Sequence, residues 1–239
     1  GTFQRVITHR INNFSYVVEH GQAIATGTEQ RNFDAVPNDA VIAGQVTLTD
    51  YNTVVWILGR ESESTAGATA FEATERTAVT SFLNAGGNLF VSGSDWAYDL
   101  GRAGQPAAET TFINSNLRTT YVGDSANTYS VNGSVASIFA GLSMALSDFD
   151  GPVYDARSLD QLGAGAGAVV AMTYSGGSGG NAAILYNGAP TTGKVIGLGF
   201  PFETIDSAAT RAEVMSRALT FFGTPGSTNT PPQLSSPLA

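Results

Sequence analysis

The stretch GGNLFVSGSDWAYDL, residues 86–100, decides how this chain is read. Leu89-Phe90-Val91 is an apolar run of strand length that stops at Gly93 and passes at once into a helix-like segment. So abrupt a passage forms an elbow at the C-terminal edge of a sheet, where open α/β folds bind ligands and where hydrolases carry a nucleophile. Ser94 and Asp95 stand on that elbow. Their bland role is to cap the helix beginning at Trp96, because Ser and Asp oxygens satisfy free helical N–H groups. That reading is preferred.

Strand and helix signals alternate outward from the elbow. TVVWILG, residues 53–59, has the length and uniform apolarity of a parallel strand covered on both faces, with Trp56 in the core. Between Ala70 and Ala85, the residues Phe71, Ala78, Val79, Phe82 and Leu83 mark one helical face that Gly86-Gly87 stop. Upstream, Asn12-Asn13 can cap a helix carrying Phe14, Val17, Val18 and Ala25 and ending near Gly27. Downstream, residues 107–117 read as a short helix, and TTYVGD and TYSVNGS as short strands. Residues 168–174 and 182–186 read as strands joined by the Gly-rich turn SGGSGG. That run leads into a strand and not a helix, so it is no phosphate cradle. GKVIGLGF is a last buried strand, and residues 208–222 form an amphipathic helix with Val214, Met215, Ala218, Leu219 and Phe222 in register.

The pattern predicts an α/β fold, a three-layer α/β/α sandwich with a mainly parallel central sheet and some antiparallel edge strands. Such folds open on a strongly apolar strand, for which only TFQRVIT is present; either it serves as that strand or, the preferred expectation, the first strand lies upstream of this chain. One domain, residues 1–223, is expected to be followed by a Pro/Ser/Thr-rich linker or tail, residues 224–239.

Bulk composition removes several functions. Hydrophobic residues make up 42% of the 239, enough for a real core, while charged residues are only 13%. The formal charge is -9, and ten Arg and one Lys form no cluster, so no nucleic-acid partner is expected. The absence of cysteine rules out disulfides, thiolate metal sites and thiol nucleophiles. No apolar run approaches the roughly 18 residues of a membrane helix, so no membrane insertion is expected. No signal peptide is visible; the linker-like ending favours a fragment, and the Gly/Ser/Thr/Asn-rich polar composition a secreted bacterial protein.

With elbow and final strand both read, YNTVVWILGRES, FLNAGGNLFVSGSDWAYDL, GKVIGLGFPFETI and RAEVMSRALTFF together resemble a class I glutamine amidotransferase-like, flavodoxin-like domain. More narrowly, the chain is similar to the version found in large secreted bacterial proteins labelled xanthan lyase or N-acetylmuramoyl-L-alanine amidase. The resemblance implies a Cys at the elbow and a His-x-Glu pair after the last central strand. Here the elbow has no Cys, and only Glu203 matches the pair loosely, with Pro201 where the His belongs. Glutamine hydrolysis by a thiolate is therefore excluded.

Two other chemistries are open to the chain. Ser94 could act with His9 as base, His9 preceding the first helix on the elbow's side; His20 is expected at the surface or a helix end, away from the elbow. Asp95 and Glu203 could instead form a carboxylate pair acting on a glycoside. Both are the alternative. The preferred expectation is a non-catalytic accessory or ligand-binding module of a multidomain protein acting on polysaccharide or cell wall. It would take a glycan at a rim of Ser94, Asp95, Trp96, Phe202 and Glu203, with Tyr98 offering a second ring. No cofactor and no metal are expected. Asp148, Asp150, Asp155 and Asp160 fall in loops without the spacing of a calcium loop and read as solvated acids.

Overall fold

The computed structural model describes residues 16–61, 69–148, 151, 153–189 and 192–223. TFQRVIT, His9, Asp150 and residues 224–239 lie outside the described residues.

In chain order the elements are helix α1 (Tyr16–Thr26), helix α2 (Asn38–Ile42), strand β1 (Thr53–Gly59), helix α3 (Ala73–Asn84), strand β2 (Asn88–Gly93) and helix α4 (Trp96–Gly101). Helix α5 (Ala107–Thr111) runs on into a π-turn, Phe112–Asn116. Strands β3 (Thr119–Gly123), β4 (Ser130–Gly133), β5 (Ser143–Ala145), β6 (Gln161–Ala164), β7 (Ala168–Tyr174), β8 (Asn181–Tyr186) and β9 (Val195–Leu198) follow. A 3-10 turn at Phe202–Thr204 and helix α6 (Ala208–Phe222) complete the described chain.

Local chemistry explains the long helices. Helix α3 opens on a capping box, in which the Glu72 N–H donates to Glu75 at 2.6 Å and the Glu72 side chain accepts in return. Helix α6 starts at Ser207, whose Oγ accepts from the Thr210 N–H at 3.2 Å, and stops at Gly223 in the left-handed conformation.

Seven strands form one sheet in the order β1-β2-β9-β8-β7-β4-β5, and β3 pairs with β6 in a separate antiparallel ribbon. The expectation of a mainly parallel sheet in a three-layer sandwich is corrected here. Only β1–β2 and β2–β9 pair in parallel; β9–β8, β8–β7, β7–β4 and β4–β5 are all antiparallel. The mixed sheet curls into a half-barrel.

Its covering is uneven for the same reason. The parallel connections bring α3, between β1 and β2, and α4, after β2, onto one face, while α1 before β1 and α6 after β9 cover the other. The antiparallel neighbours β7–β8, β8–β9 and β4–β5 are joined by turns and short loops, and none of the antiparallel connections carries an α-helix. That half is covered by loop residues such as Phe139, Leu146, Ala156 and Leu159 on one face and by the β3–β6 ribbon on the other. Phe90 illustrates the parallel third. It pairs with Val55 and Ile196, is fully buried in the α1/α6 core, and meets Phe202 edge-on at 5.7 Å.

Candidate functional site

The parallel strands β1, β2 and β9 end at one edge of the sheet, and the elbow residues gather there. Gly93 allows the close approach that makes the turn, since a Cβ on it would lie 2.7 Å from Cβ of Leu58. The Ser94 N–H donates to the Gly59 carbonyl at 2.8 Å, fastening the elbow to the end of β1. Gly59 itself has φ +59, and a Cβ there would stand 3.5 Å from both Glu203 Oε1 and the Tyr154 hydroxyl. Ser94 and Glu203 thus share Gly59 as a neighbour.

The Ser94 side chain is completely buried, and its Oγ has no hydrogen-bond partner. A nucleophilic serine needs a base on its hydroxyl and a path for substrate. Among the described residues Ser94 has no base on its hydroxyl, and its side chain is closed to solvent; His9 lies outside them.

The preferred capping role passes to another residue. Asp95 occupies the cap position with φ 64, and neither Ser94 nor Asp95 makes a side-chain cap to α4. Asp160, just before β6, supplies it instead. Its carboxylate accepts from the Ala97 N–H at 2.7 Å and the Tyr98 N–H at 3.2 Å. The contact joins residues more than 60 positions apart, so no local pattern could have revealed it. The expectation that Asp160 and Asp155 are solvated is likewise corrected: both are buried. Asp155 accepts from the Tyr129 hydroxyl at 2.7 Å and pairs with Arg157. Asp148 is exposed as expected.

Asp95, Asp124 and Asp160 each place a carboxylate oxygen within 4.8 Å of the others. Burial raises the Asp160 pKa well above the carboxylate range, the two backbone donors oppose the shift, and the charges of Asp95 and Asp124 add to it. Hard cations favour such oxygen sets, although this one offers only three side chains, one of them engaged in capping.

Glu203 lies in a separate cluster. It is fully buried in the 3-10 turn after β9, its Oε1 accepts from the Tyr154 hydroxyl at 2.6 Å, and its Oε2 has no partner. Burial pushes its pKa up to about 7; the Tyr154 bond opposes this, while the Glu19 charge adds to it. Of the expected Asp95/Glu203 pair, Asp95 sits with Asp124 and Asp160, and Glu203 with Tyr154.

His20 also departs from expectation. It is buried, its Nδ1 lies 2.7 Å from the Tyr16 carbonyl, and its ring packs on Phe202 at 4.6 Å. Burial depresses its pKa to about 4, with the Tyr16 carbonyl opposing and the Arg211 charge assisting. Helix α1 packs mainly on α6, and its histidine meets the Phe202 ring beyond β9.

The expected glycan rim is not at the surface. Trp96 is fully buried, its indole N–H donating to the Leu198 carbonyl at 2.8 Å, and Phe202 is fully buried against Phe90 and His20. Only Tyr98 is partly open, and it carries the Arg102 guanidinium over its ring at 4.8 Å. The elbow side chains Ser94, Asp95 and Trp96 are all buried.

Among solved structures the chain is similar to a beta-galactosidase from Rahnella sp. R3, with 17% identity and a TM-score of 0.53 over 88% of this chain. It is also similar to a beta-galactosidase from Bacillus circulans sp. alkalophilus, with 10% identity and a TM-score of 0.54 over 97% of this chain. The chain spans 27% and 30% of those two proteins. No family model matches it, and no curated protein matches it by sequence. At these identities the likeness concerns the fold. It replaces the amidotransferase-like, flavodoxin-like assignment, because the matching folds belong to beta-galactosidases with a curled mixed sheet. The quoted motifs follow from a parallel strand pair with a tight elbow, a feature shared by folds whose sheets differ farther along. Among the described residues no helix is long and apolar enough to cross a membrane.

Proposed function

We propose that this chain is a non-catalytic domain of a larger, secreted carbohydrate-acting protein. Its likeness to less than a third of two beta-galactosidases supports the setting. The observation that carries the non-catalytic reading is the burial of Ser94, Asp95 and Glu203 alike, which closes all three side chains to solvent and substrate. A glycoside hydrolase needs two opposed carboxyl groups about 5–10 Å apart with sugar between them. Sealed side chains leave no room for that sugar at the elbow.

The purified chain is to be incubated with lactose and a nitrophenyl β-galactoside over pH 4–9. Release of product at the rate of a buffer blank is expected. Turnover abolished by Ser94→Ala or Glu203→Gln, in variants that keep the wild-type circular dichroism, would overturn the reading.

A further inference from the structure

The geometry points to a binding site for a neutral sugar ring at the end of the sheet opposite the elbow. This rests on the carbohydrate setting proposed above and places the contact away from the sealed edge. An open depression of about 200 Å³ lies where β1 and β2 begin, between the C-terminal ends of α3 and α6. Phe82 and Phe222, both buried, lie beneath it, and the half-buried Tyr51 lines it.

Its chemistry selects the ligand class. Every residue lining it is uncharged, so a charged ligand finds no ion partner among them. Two helices of 12 and 15 residues end there. Lys194 Nζ already donates to the Phe221 carbonyl, and the Gly86, Gly87 and Gly223 N–H groups to Leu83, Phe82, Leu219 and Thr220, so a ligand's donors meet the carbonyls that remain and the exposed side chains. A ring bearing several hydroxyls supplies donors without net charge. The exposed Thr49 hydroxyl and Asn52 carboxamide make no hydrogen bond among the described residues and are free to meet it. Asn88 is committed: its amide donates to the Asn52 carbonyl at 3.3 Å and accepts from the Lys194 N–H at 3.2 Å. It therefore fixes the Asn52 backbone and leaves the Asn52 side chain to read the ligand. Among the described residues the mouth is open at Gly86 and Gly223, where a Cβ would meet nothing within 4 Å. The volume suits one ring of a glycan and not a buried chain.

The test is amide chemical-shift mapping of the full 239-residue chain during titration with galactose and lactose, with galacturonate as the charged control. Saturable shifts confined to Tyr51, Asn52, Gly86, Gly87 and Asn88 are expected with the neutral sugars. Asn52→Ala and Thr49→Ala alter exposed side chains and are each expected to weaken binding about 5-fold, the worth of one hydrogen bond. Absence of shifts with both neutral sugars, shifts elsewhere, equal response to galacturonate, or unchanged affinity in both variants overturns the proposal. Catalytic turnover is read separately, so failure of the site and failure of the non-catalytic reading are distinguishable.

Discussion

The Tyr154 hydroxyl donates to Glu203 Oε1 at 2.6 Å, and both side chains are buried. The bond offsets part of the desolvation of the carboxyl, which still titrates near 7 in the fold against 4.5 ordinarily. The folded state therefore binds the proton more tightly than the unfolded chain. This stabilisation is complete below about pH 4.5 and is lost as pH rises through about 7. Glu203→Gln, uncharged throughout, should remove that fall, worth at most about 3 kcal/mol. Chemical denaturation of both proteins from pH 4 to 8 measures the difference; parallel profiles would refute the assignment.

His20 works in the opposite sense. Its folded pKa of about 4 lies below the ordinary 6.5, so the fold holds it neutral while the unfolded chain takes up a proton. Its contribution is present above pH 6.5 and is lost as pH falls toward 4. Between 4.5 and 6.5 the slopes of His20 and Glu203 oppose each other. His20→Phe should make stability decline more steeply with rising pH over that interval than in the wild type. Melting temperatures at half-unit steps will show whether it does.

Asp160 rather than Ser94 or Asp95 caps α4, so substitutions at the three positions should rank accordingly. Asp160→Ala is expected to cost about 1–2 kcal/mol for the lost cap. Ser94→Ala should stay within about 1 kcal/mol of wild type, because its hydroxyl has no partner to lose. At Asp95 the left-handed backbone favours glycine, so Asp95→Gly should be more stable than Asp95→Ala by about 1 kcal/mol. Urea unfolding of the four variants gives the order directly.

Both tryptophans are buried, Trp56 stacked on Phe71 at 5.2 Å and Trp96 bonded to Leu198. Their emission should be blue-shifted, resist acrylamide quenching and stay unchanged on addition of galactose. Trp96→Phe keeps most of the packing but loses the indole bond to the Leu198 carbonyl, a loss of about 1 kcal/mol. A red-shifted, readily quenched spectrum would contradict this placement.

Much of the local structure was legible in the sequence. The strand at residues 53–59, the helix ending before Gly86 and the helix at 208–222 all stand where apolar periodicity and terminal glycines place them. Strands β5 and β6 were not predicted; three or four residues carry too little alternation to register. The direction of neighbouring strands was misjudged as well. An apolar run such as Val195–Leu198 looks the same whether its partner runs with it, as β2 does, or against it, as β8 does.

The sequence by itself determined that thiol chemistry is impossible here, that a strand turns sharply at Gly93, and that apolar faces exist to bury it. These are consequences of which atoms are present and of short-range periodicity. Only the tertiary structure decided what surrounds the turn: Asp160 arriving from a distant loop, Tyr154 meeting Glu203, and Phe202 meeting His20. Burial and hydrogen bonding depend on chain segments far apart in order. A residue's chemistry at the elbow was therefore set by neighbours that spacing along the chain does not encode.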